Sequence, residues 1–277
     1  MQATQSWLPA TPDLTTVRNT HPDPLRALAH AEMPAIVLRQ AYNSADCPKL
    51  LQRFLDWGLM RDPKAATADQ RNRIDIGTSL GNRGHDQERF LTHAVATHEL
   101  FRVLFDGFDD PVKTIYDALQ QLAGDKTVKT AQEPDGRQYG PAIFRIHYDS
   151  HAYKPHIDHV TLREKRFRYA VSRFEHQFAG ILCLQNAAQQ GQAAQTIIHQ
   201  CLWNEAIQPH IDAETFPAYA AANNLGSYKI ALAPGDLYFF NTRCIHEIPA
   251  IEGENPRAVL AVFIGYSEDD DEIYVWS

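Results

Sequence analysis

Residues 234–266 read PGDLYFFNTRCIHEIPAIEGENPRAVLAVFIGY, and this stretch decides the fold class of the chain. Pro234-Gly235-Asp236 is typical of a tight turn. The apolar runs at 237–240 and 257–266 are rich in aromatic and β-branched residues, which favours strands. A turn, an apolar strand, a polar connection and a second apolar strand are the pattern of an antiparallel sheet. The C-terminal half of the chain is therefore predicted to be built from β-structure.

The same pattern extends upstream, and it gives way to helices in the first half. Further β-rich segments lie at 142–148, 178–185, 195–203 and 228–240, with a longer polar insert near 206–224. Apolar side chains recur with a helical period around residues 50–55 and 90–105. A third helix is predicted to begin at Asp110-Pro111 and to end at Gly124-Asp125. We expect one α+β domain over 1–277, in which a mainly helical N-terminal region (1–135) flanks a double-stranded β-helix, or jelly-roll, core (136–277).

Composition excludes several classes of function. With 277 residues, 26 Lys and Arg against 34 Asp and Glu, and a net charge of −8, the chain lacks the basic character of a nucleic-acid or anionic-membrane binder. No apolar run is long enough to span a bilayer, and the N-terminal stretch MQATQSWLPATPDLTT does not resemble a signal peptide. The four cysteines form no CxxC pair, which is typical of reduced thiols in the cytoplasm. We expect a cytoplasmic protein, and the sequence leaves its oligomeric state open.

The thirteen histidines direct attention to a metal site. In His156-Ile157-Asp158, side chains two residues apart on a strand point to the same face. They would offer one nitrogen and one oxygen ligand to a single ion. His246, which follows the strand after Pro234-Gly235-Asp236, is the best candidate for a third ligand. Two histidines and one carboxylate form the facial triad that binds Fe(II) and leaves positions open for oxygen chemistry.

Two other His-x-Asp pairs compete for this role. His210-x-Asp212 lies in the polar insert, which is predicted to be helical, and there its two side chains would diverge. His147-x-Asp149 ends a well-defined strand, so the residues alone leave it open as an alternative.

The order HxD…His…Arg, together with the β-rich second half, resembles the iron(II)/2-oxoglutarate-dependent dioxygenases. The segments PDGRQYGPAIFRIHY (134–148), ENPRAVLAVFIGYS (254–267) and IYVWS (273–277) are similar to one subgroup. That subgroup contains the N-substituted L-amino acid dioxygenases and the free-standing indole-alkaloid halogenases. The resemblance implies a jelly roll that uses Fe(II), 2-oxoglutarate and O2. It selects His156, Asp158 and His246 as ligands over His147 and Asp149.

The resemblance also implies a reaction and a cosubstrate site. The halogenases carry Gly where this chain has Asp158, and halide takes the vacated position, so the carboxylate implies hydroxylation. Arg257 would pair with the distal carboxylate of 2-oxoglutarate, the alternative being a surface arginine. Arg145, a charge in the middle of an apolar strand, would assist it, the alternative being a structural ion pair.

Two further arginines are candidates for substrate binding. Arg163 begins the basic stretch 163–168 directly after the HxD pair, and Arg83 lies between glycines that would suit a mobile lid. A solvated loop and a plain surface turn are the alternatives. The subgroup implies hydroxylation of an N-succinyl branched L-amino acid at its β-carbon. A larger natural-product scaffold or nucleoside is the alternative substrate, and a non-catalytic metal-binding jelly-roll protein is the alternative class.

Overall fold

A computed structural model describes residues 7–65, 71–187, 195–250, 253 and 255–277. Residues 1–6 of the N-terminal stretch and Glu254 of the C-terminal family segment lie outside these ranges. The helices are α1 (Leu14–Thr20), α2 (Pro24–Ala29), α3 (Cys47–Asp56), α4 (Leu80–Arg83), α5 (Gln87–Leu104), α6 (Pro111–Leu122), α7 (Gln208–Asp212) and α8 (Phe216–Ala222), with a 3-10 turn at Ala170–Arg173. The strands are β1 (Ile36–Leu38), β2 (Arg73–Ile76), β3 (Thr127–Thr130), β4 (Ile143–His147), β5 (Tyr153–His156), β6 (His176–Gln185), β7 (Ile197–Leu202), β8 (Ser227–Lys229), β9 (Leu237–Asn241), β10 (Cys244–Ile248), β11 (Arg257–Tyr266) and β12 (Glu272–Trp276).

The strands form two sheets. The larger sheet has the strand order β1-β9-β6-β11-β12-β3. In the same sheet, β4 pairs with both β11 and β2. The smaller runs β5-β10-β7-β8. Every pairing between these strands is antiparallel except that of β12 with β3. The predicted mixture of helices and antiparallel sheets is confirmed, while closure into a jelly roll and the division into one domain stay predictions.

Strand β11 organises the larger sheet because its side chains alternate between two different environments. Ala258 and Leu260 pack in the main apolar core, together with residues of the N-terminal helices. Arg257, Val259 and Ala261 point the other way and line a cavity that the smaller sheet also borders. The helices thus cover one face of the large sheet, and the other face is left for a site.

The predicted third helix is confirmed as α6, and its start follows from local chemistry. Asp110 accepts hydrogen bonds from the backbone N–H groups of Val112 and Lys113, and Pro111 occupies the first helical position. Ile115 and Leu119 are completely buried on its inner face. Gly124, with φ +62°, ends the segment as expected.

The insert near 206–224 contains α7 and α8. Although its composition is polar, several of its apolar side chains are buried. Phe216 and Ala220 are buried in an apolar cluster with Ile157 and Ile245. These last two residues are sequence neighbours of His156 and His246. The insert therefore covers the outer face of the smaller sheet, directly behind the histidines.

Several strands differ from the expectation. The mainly helical N-terminal region also contains β1, β2 and β3, which are only three or four residues long and thus too short to be identified by their periodicity. The sequence predicts His246 just past a strand end, yet it lies inside β10. Conversely, β5 ends at His156, so Asp158 lies beyond the strand. No helix within the described ranges is both long and apolar enough to cross a membrane.

Candidate metal centre and cavity

His156, Asp158 and His246 meet in space, as the sequence predicts. One ligand atom from each lies within 4.8 Å of the other two, and within the described residues this is the one such group of His, Cys, Asp or Glu. Asp158 Oδ2 lies 3.8 Å from His156 Nε2 and 3.6 Å from His246 Nε2. The three side chains line the cavity between the two sheets.

Strand pairing places the two histidines opposite each other. His246 on β10 is the direct cross-strand partner of His156 on β5, so both side chains leave the sheet on the same face. Asp158 is fixed after the strand by Thr242. The Asp158 N–H donates to the Thr242 carbonyl (3.1 Å), and the Thr242 hydroxyl donates to the Asp158 carbonyl (2.5 Å).

Backbone contacts also orient the two rings. His156 Nδ1 lies 2.7 Å from the Lys154 carbonyl, and His246 Nδ1 lies 2.9 Å from the Cys244 carbonyl. A carbonyl oxygen can only accept, so Nδ1 donates in each ring and Nε2 keeps a free lone pair toward the cavity. Burial, assisted by the neighbouring His246, lowers the pKa of His156 to about 4. The neutral, metal-binding form of His156 is therefore the stable one near pH 7.

Asp158 is ionised in this setting. Burial alone would raise the pKa of Asp158, but the neighbouring His246, His156 and Arg163 hold it well below its usual range. Arg163 Nη1 donates to Asp158 Oδ1 at 2.6 Å. The centre thus combines two imidazoles with one carboxylate.

The competing His-x-Asp pairs do not form a ligand set. His147 is buried and bonded within a polar network, whereas Asp149 is exposed and accepts from Ser150 and from the Gly253 N–H. His210 and Asp212 lie on α7, where His210 contacts Thr215 and Asp212 accepts from Gln208.

Arg257 and Arg145 both line the cavity on adjacent strands, β11 and β4. Arg257 is 5% exposed, and its Nη1 donates to His147 Nδ1 at 3.3 Å. Arg145 lies over the Phe263 ring at 5.9 Å, and its buried Nε has no hydrogen-bond partner. Within the described part of the chain, neither guanidinium pairs with a carboxylate. Since buried charges are normally paired, this wall of the cavity is suited to an anion.

A hydrogen-bonded chain that the sequence does not reveal adds a donor to this wall. Arginine can only donate, so His147 Nδ1 accepts from Arg257, and the neutral ring carries its proton on Nε2. Burial and Arg257 hold the pKa of His147 well below its usual range, which agrees with a neutral ring. His147 Nε2 then donates to the Tyr153 hydroxyl (3.2 Å), which also accepts from Arg73 Nη1 (2.9 Å). With both lone pairs engaged, the Tyr153 hydroxyl has its proton left to donate, and Tyr153 lines the cavity.

The basic stretch 163–168 is a largely exposed loop, and two of its arginines bind the chain segment around α4. Arg166 donates to the carbonyls of Leu80 and Gly81, and Arg168 to that of His85. Arg163 lines the cavity beside Asp158. The residues of α4 that line it are Leu80, Gly81 and Asn82, whereas Arg83 is not among the lining residues.

Comparison with known proteins agrees with this architecture. The chain is similar to the N-substituted L-amino acid dioxygenase from Burkholderia ambifaria AMMD (TM-score 0.60, 17% identity, 91% of this chain and 90% of that chain). The structure of that enzyme in complex with alpha-KG gives a TM-score of 0.57 at 16% identity, with the same shares of the two chains covered. At such identities the likeness concerns the fold. No curated protein matches the chain.

A family model adds a match over nearly the full length. The model of the carrier-protein-independent halogenase WelO5 covers residues 11–277. This confirms the subgroup that the segments 134–148, 254–267 and 273–277 indicate. The chain belongs to the family of the carrier-protein-independent halogenase WelO5.

Proposed function

We propose that the protein is an Fe(II)/2-oxoglutarate-dependent dioxygenase that hydroxylates an unactivated aliphatic C–H bond of a small, free, carboxylate-bearing molecule. The observation that carries this proposal is the position of His156, Asp158 and His246 at a cavity whose wall holds two guanidinium groups, of Arg145 and Arg257, without a carboxylate partner in the described residues.

The donor set fits iron. Two imidazole Nε2 atoms and one carboxylate oxygen converge from one side, which is the ligand set of non-haem Fe(II) oxygenases with open positions. When bound, the iron with 2-oxoglutarate and O2 supplies the oxidant: one oxygen atom enters the C–H bond, and the other leaves in succinate as CO2 is released. His156, Asp158 and His246 hold the ion, and the backbone carbonyls behind the histidines fix their orientation.

Arg257 and Arg145 are proposed to bind the cosubstrate. 2-Oxoglutarate carries two carboxylates, and its distal one needs a cation away from the metal. A guanidinium forms two parallel hydrogen bonds with a carboxylate, which makes Arg257 suited to this role. The free proton of the Tyr153 hydroxyl adds a donor near the same wall. Burial keeps water from competing for these donors.

Hydroxylation is proposed over halogenation because Asp158 is present. With three protein ligands and two oxygens of 2-oxoglutarate, a bound iron with six positions would have one left, which O2 needs. The halogenases that the chain resembles have Gly at this place and use the vacated position for halide. Asp158 therefore supports an enzyme that has no position for chloride, although the family takes its description from a halogenase.

The substrate is proposed to be an N-succinyl branched L-amino acid, hydroxylated at its β-carbon. The name of the similar Burkholderia enzyme, an N-substituted L-amino acid dioxygenase, supports this class. Arg163 and Arg83 remain proposed contacts for the substrate, Arg83 from just outside the lining. A larger natural-product scaffold or nucleoside is the alternative substrate, and a non-catalytic metal-binding protein is the lesser alternative.

The test is succinate formation by the purified protein with Fe(II), ascorbate, 2-oxoglutarate and chloride. Free and N-succinylated amino acids are supplied one at a time, and product masses are recorded. We expect one N-succinyl amino acid to stimulate succinate formation and to gain one oxygen atom. A chlorinated product would contradict hydroxylation. Succinate formation that none of the tested amino acids increases would favour a larger scaffold as the substrate. Iron binding without any succinate formation would favour the non-catalytic metal-binding protein.

A further inference from the structure

Arg163 lies against the ligand carboxylate in a specific way. Its Nη1 donates to Asp158 Oδ1 at 2.6 Å and to the Ile157 carbonyl at 2.8 Å. The other carboxylate oxygen, Oδ2, faces the Nε2 atoms of His156 and His246 at 3.8 and 3.6 Å. One oxygen of Asp158 thus points to the guanidinium and the other points to the metal-binding histidines.

This division matters because a carboxylate can bind a metal through one or both of its oxygens. The hydrogen bond from Arg163 to Oδ1 is charge-assisted and short, and bonds of this kind are strong. The Ile157 carbonyl, one residue before the ligand, holds the same guanidinium in place. For Asp158 to chelate through both oxygens, Oδ1 would have to leave Arg163.

We propose that Arg163 is a positioning residue that restricts Asp158 to a single metal–oxygen bond. The inference rests on the proposed function and concerns the number of open positions. Two histidines and one oxygen of Asp158 would leave three of six positions on a bound iron, two for 2-oxoglutarate and one for O2. A chelating Asp158 would fill the last position, so the cosubstrate would bind but O2 would not.

This role differs from that of a substrate clamp, which acts only when substrate is present. The side chain of Arg163 is 46% exposed, so its remaining N–H groups are accessible from the cavity. A clamp alone predicts that the metal centre without substrate is unchanged when Arg163 is removed. Positioning predicts a change at the metal before any substrate binds.

The experiment measures the open position directly. Nitric oxide, a stand-in for O2, is titrated without oxygen or substrate into protein loaded with Fe(II) and 2-oxoglutarate, and the adduct is followed by electron paramagnetic resonance. Arg163→Met is compared with wild type and with Lys165→Met, which removes an exposed cation from the same loop. Iron and 2-oxoglutarate affinities are measured separately by calorimetry.

We expect Arg163→Met to bind nitric oxide about tenfold more weakly or worse, the size of a lost hydrogen bond to a charged group, while it still binds iron and 2-oxoglutarate. Lys165→Met should match wild type. Arg163→Gln keeps an amide donor for the Ile157 carbonyl but has no charge, and its affinity for nitric oxide should fall in the same way. This variant replaces Arg163→Met if the Met variant does not fold. Nitric oxide affinity within twofold of wild type in either folded variant would overturn the inference. Failure of the wild-type protein to bind iron or 2-oxoglutarate would instead overturn the proposed function.

Discussion

Asp158 is the side chain that distinguishes a hydroxylase from a halogenase in the proposed chemistry. We expect Asp158→Ala to abolish hydroxylation and to weaken Fe(II) binding by more than about 100-fold, the upper end for changes that leave the ligands themselves intact. Iron affinity by calorimetry and product formation by mass spectrometry test this.

Asp149→Ala is the matched control, because Asp149 belongs to a second His-x-Asp pair but is exposed and away from the cavity. It should keep both iron affinity and activity. If Asp149→Ala loses iron while Asp158→Ala retains it, the ligand assignment is wrong.

The hydroxyl proton of Tyr153 is predicted to contribute to the binding of 2-oxoglutarate. Its hydroxyl accepts from His147 and Arg73, so its proton is available to a ligand in the cavity. Tyr153→Phe removes this donor with little change of shape. We expect the KM for 2-oxoglutarate to rise by about tenfold or more, as for a hydrogen bond to a charged group, with a much smaller effect on kcat.

Tyr228→Phe, at the edge of the smaller sheet and outside the cavity lining, is the control and should leave the KM unchanged. An unchanged KM in Tyr153→Phe would show that its proton has another acceptor.

The packing of helix α8 behind the two histidines is predicted to stabilise the metal centre. Phe216 is completely buried against residues that neighbour the two histidine ligands. Phe216→Ala should lower the free energy of unfolding by about 3–5 kcal/mol and should also weaken metal binding. Val95→Ala, at a site 61% exposed on α5, should change stability by less than about 0.5 kcal/mol. Urea unfolding with and without metal tests both variants. Wild-type metal affinity in Phe216→Ala would show that the insert does not support the metal centre.

Long elements with a clear period could be predicted from the sequence. The bounds 257–266 match β11, and Asp110-Pro111 marks the start of α6. The short strands β1 to β3 could not be predicted, because alternation over three or four residues is too brief to identify a strand and their pairing partners lie far along the chain. β12 escapes prediction because it begins in an acidic run, where Glu272 is neutralised by Lys129 and Arg173.

The same contrast applies to the site. The His-x-Asp spacing indicates a metal site but leaves two pairs open, and it is the resemblance to the dioxygenases that selects His156, Asp158 and His246. The contacts of Arg163 with Asp158 and of Arg73 with Tyr153 were not predictable, since each depends on geometry between side chains. Alternation in Arg73-Ile74-Asp75-Ile76 was the one available sign that Arg73 belongs to a sheet face.

Buried histidines make the stability of the metal-free protein depend on pH. Burial lowers the pKa of His156 and of His159 to about 4 from 6.5. Between these values the unfolded chain binds more protons than the folded one, so stability is fully present above pH 6.5 and falls as the pH drops toward 4. A shift of this size corresponds to about 3 kcal/mol for each histidine.

Urea midpoints of the metal-free protein between pH 7.5 and pH 4.5 measure this effect. We expect a steady fall, reduced in His159→Gln, which leaves the proposed ligands in place. A flat profile across this range would contradict the burial of these rings.

The direct pairing of His156 with His246 across β5 and β10 has a consequence for how the chain folds. A slip of β10 by one residue would turn His246 into the apolar layer under α7 and α8 and bring Ile245 to the cavity. A chain paired in this way has no second imidazole for an ion. The metal therefore binds only correctly aligned strands and stabilises them by mass action. Iron that binds during folding would therefore favour the native register of β5 and β10, before it takes part in any reaction.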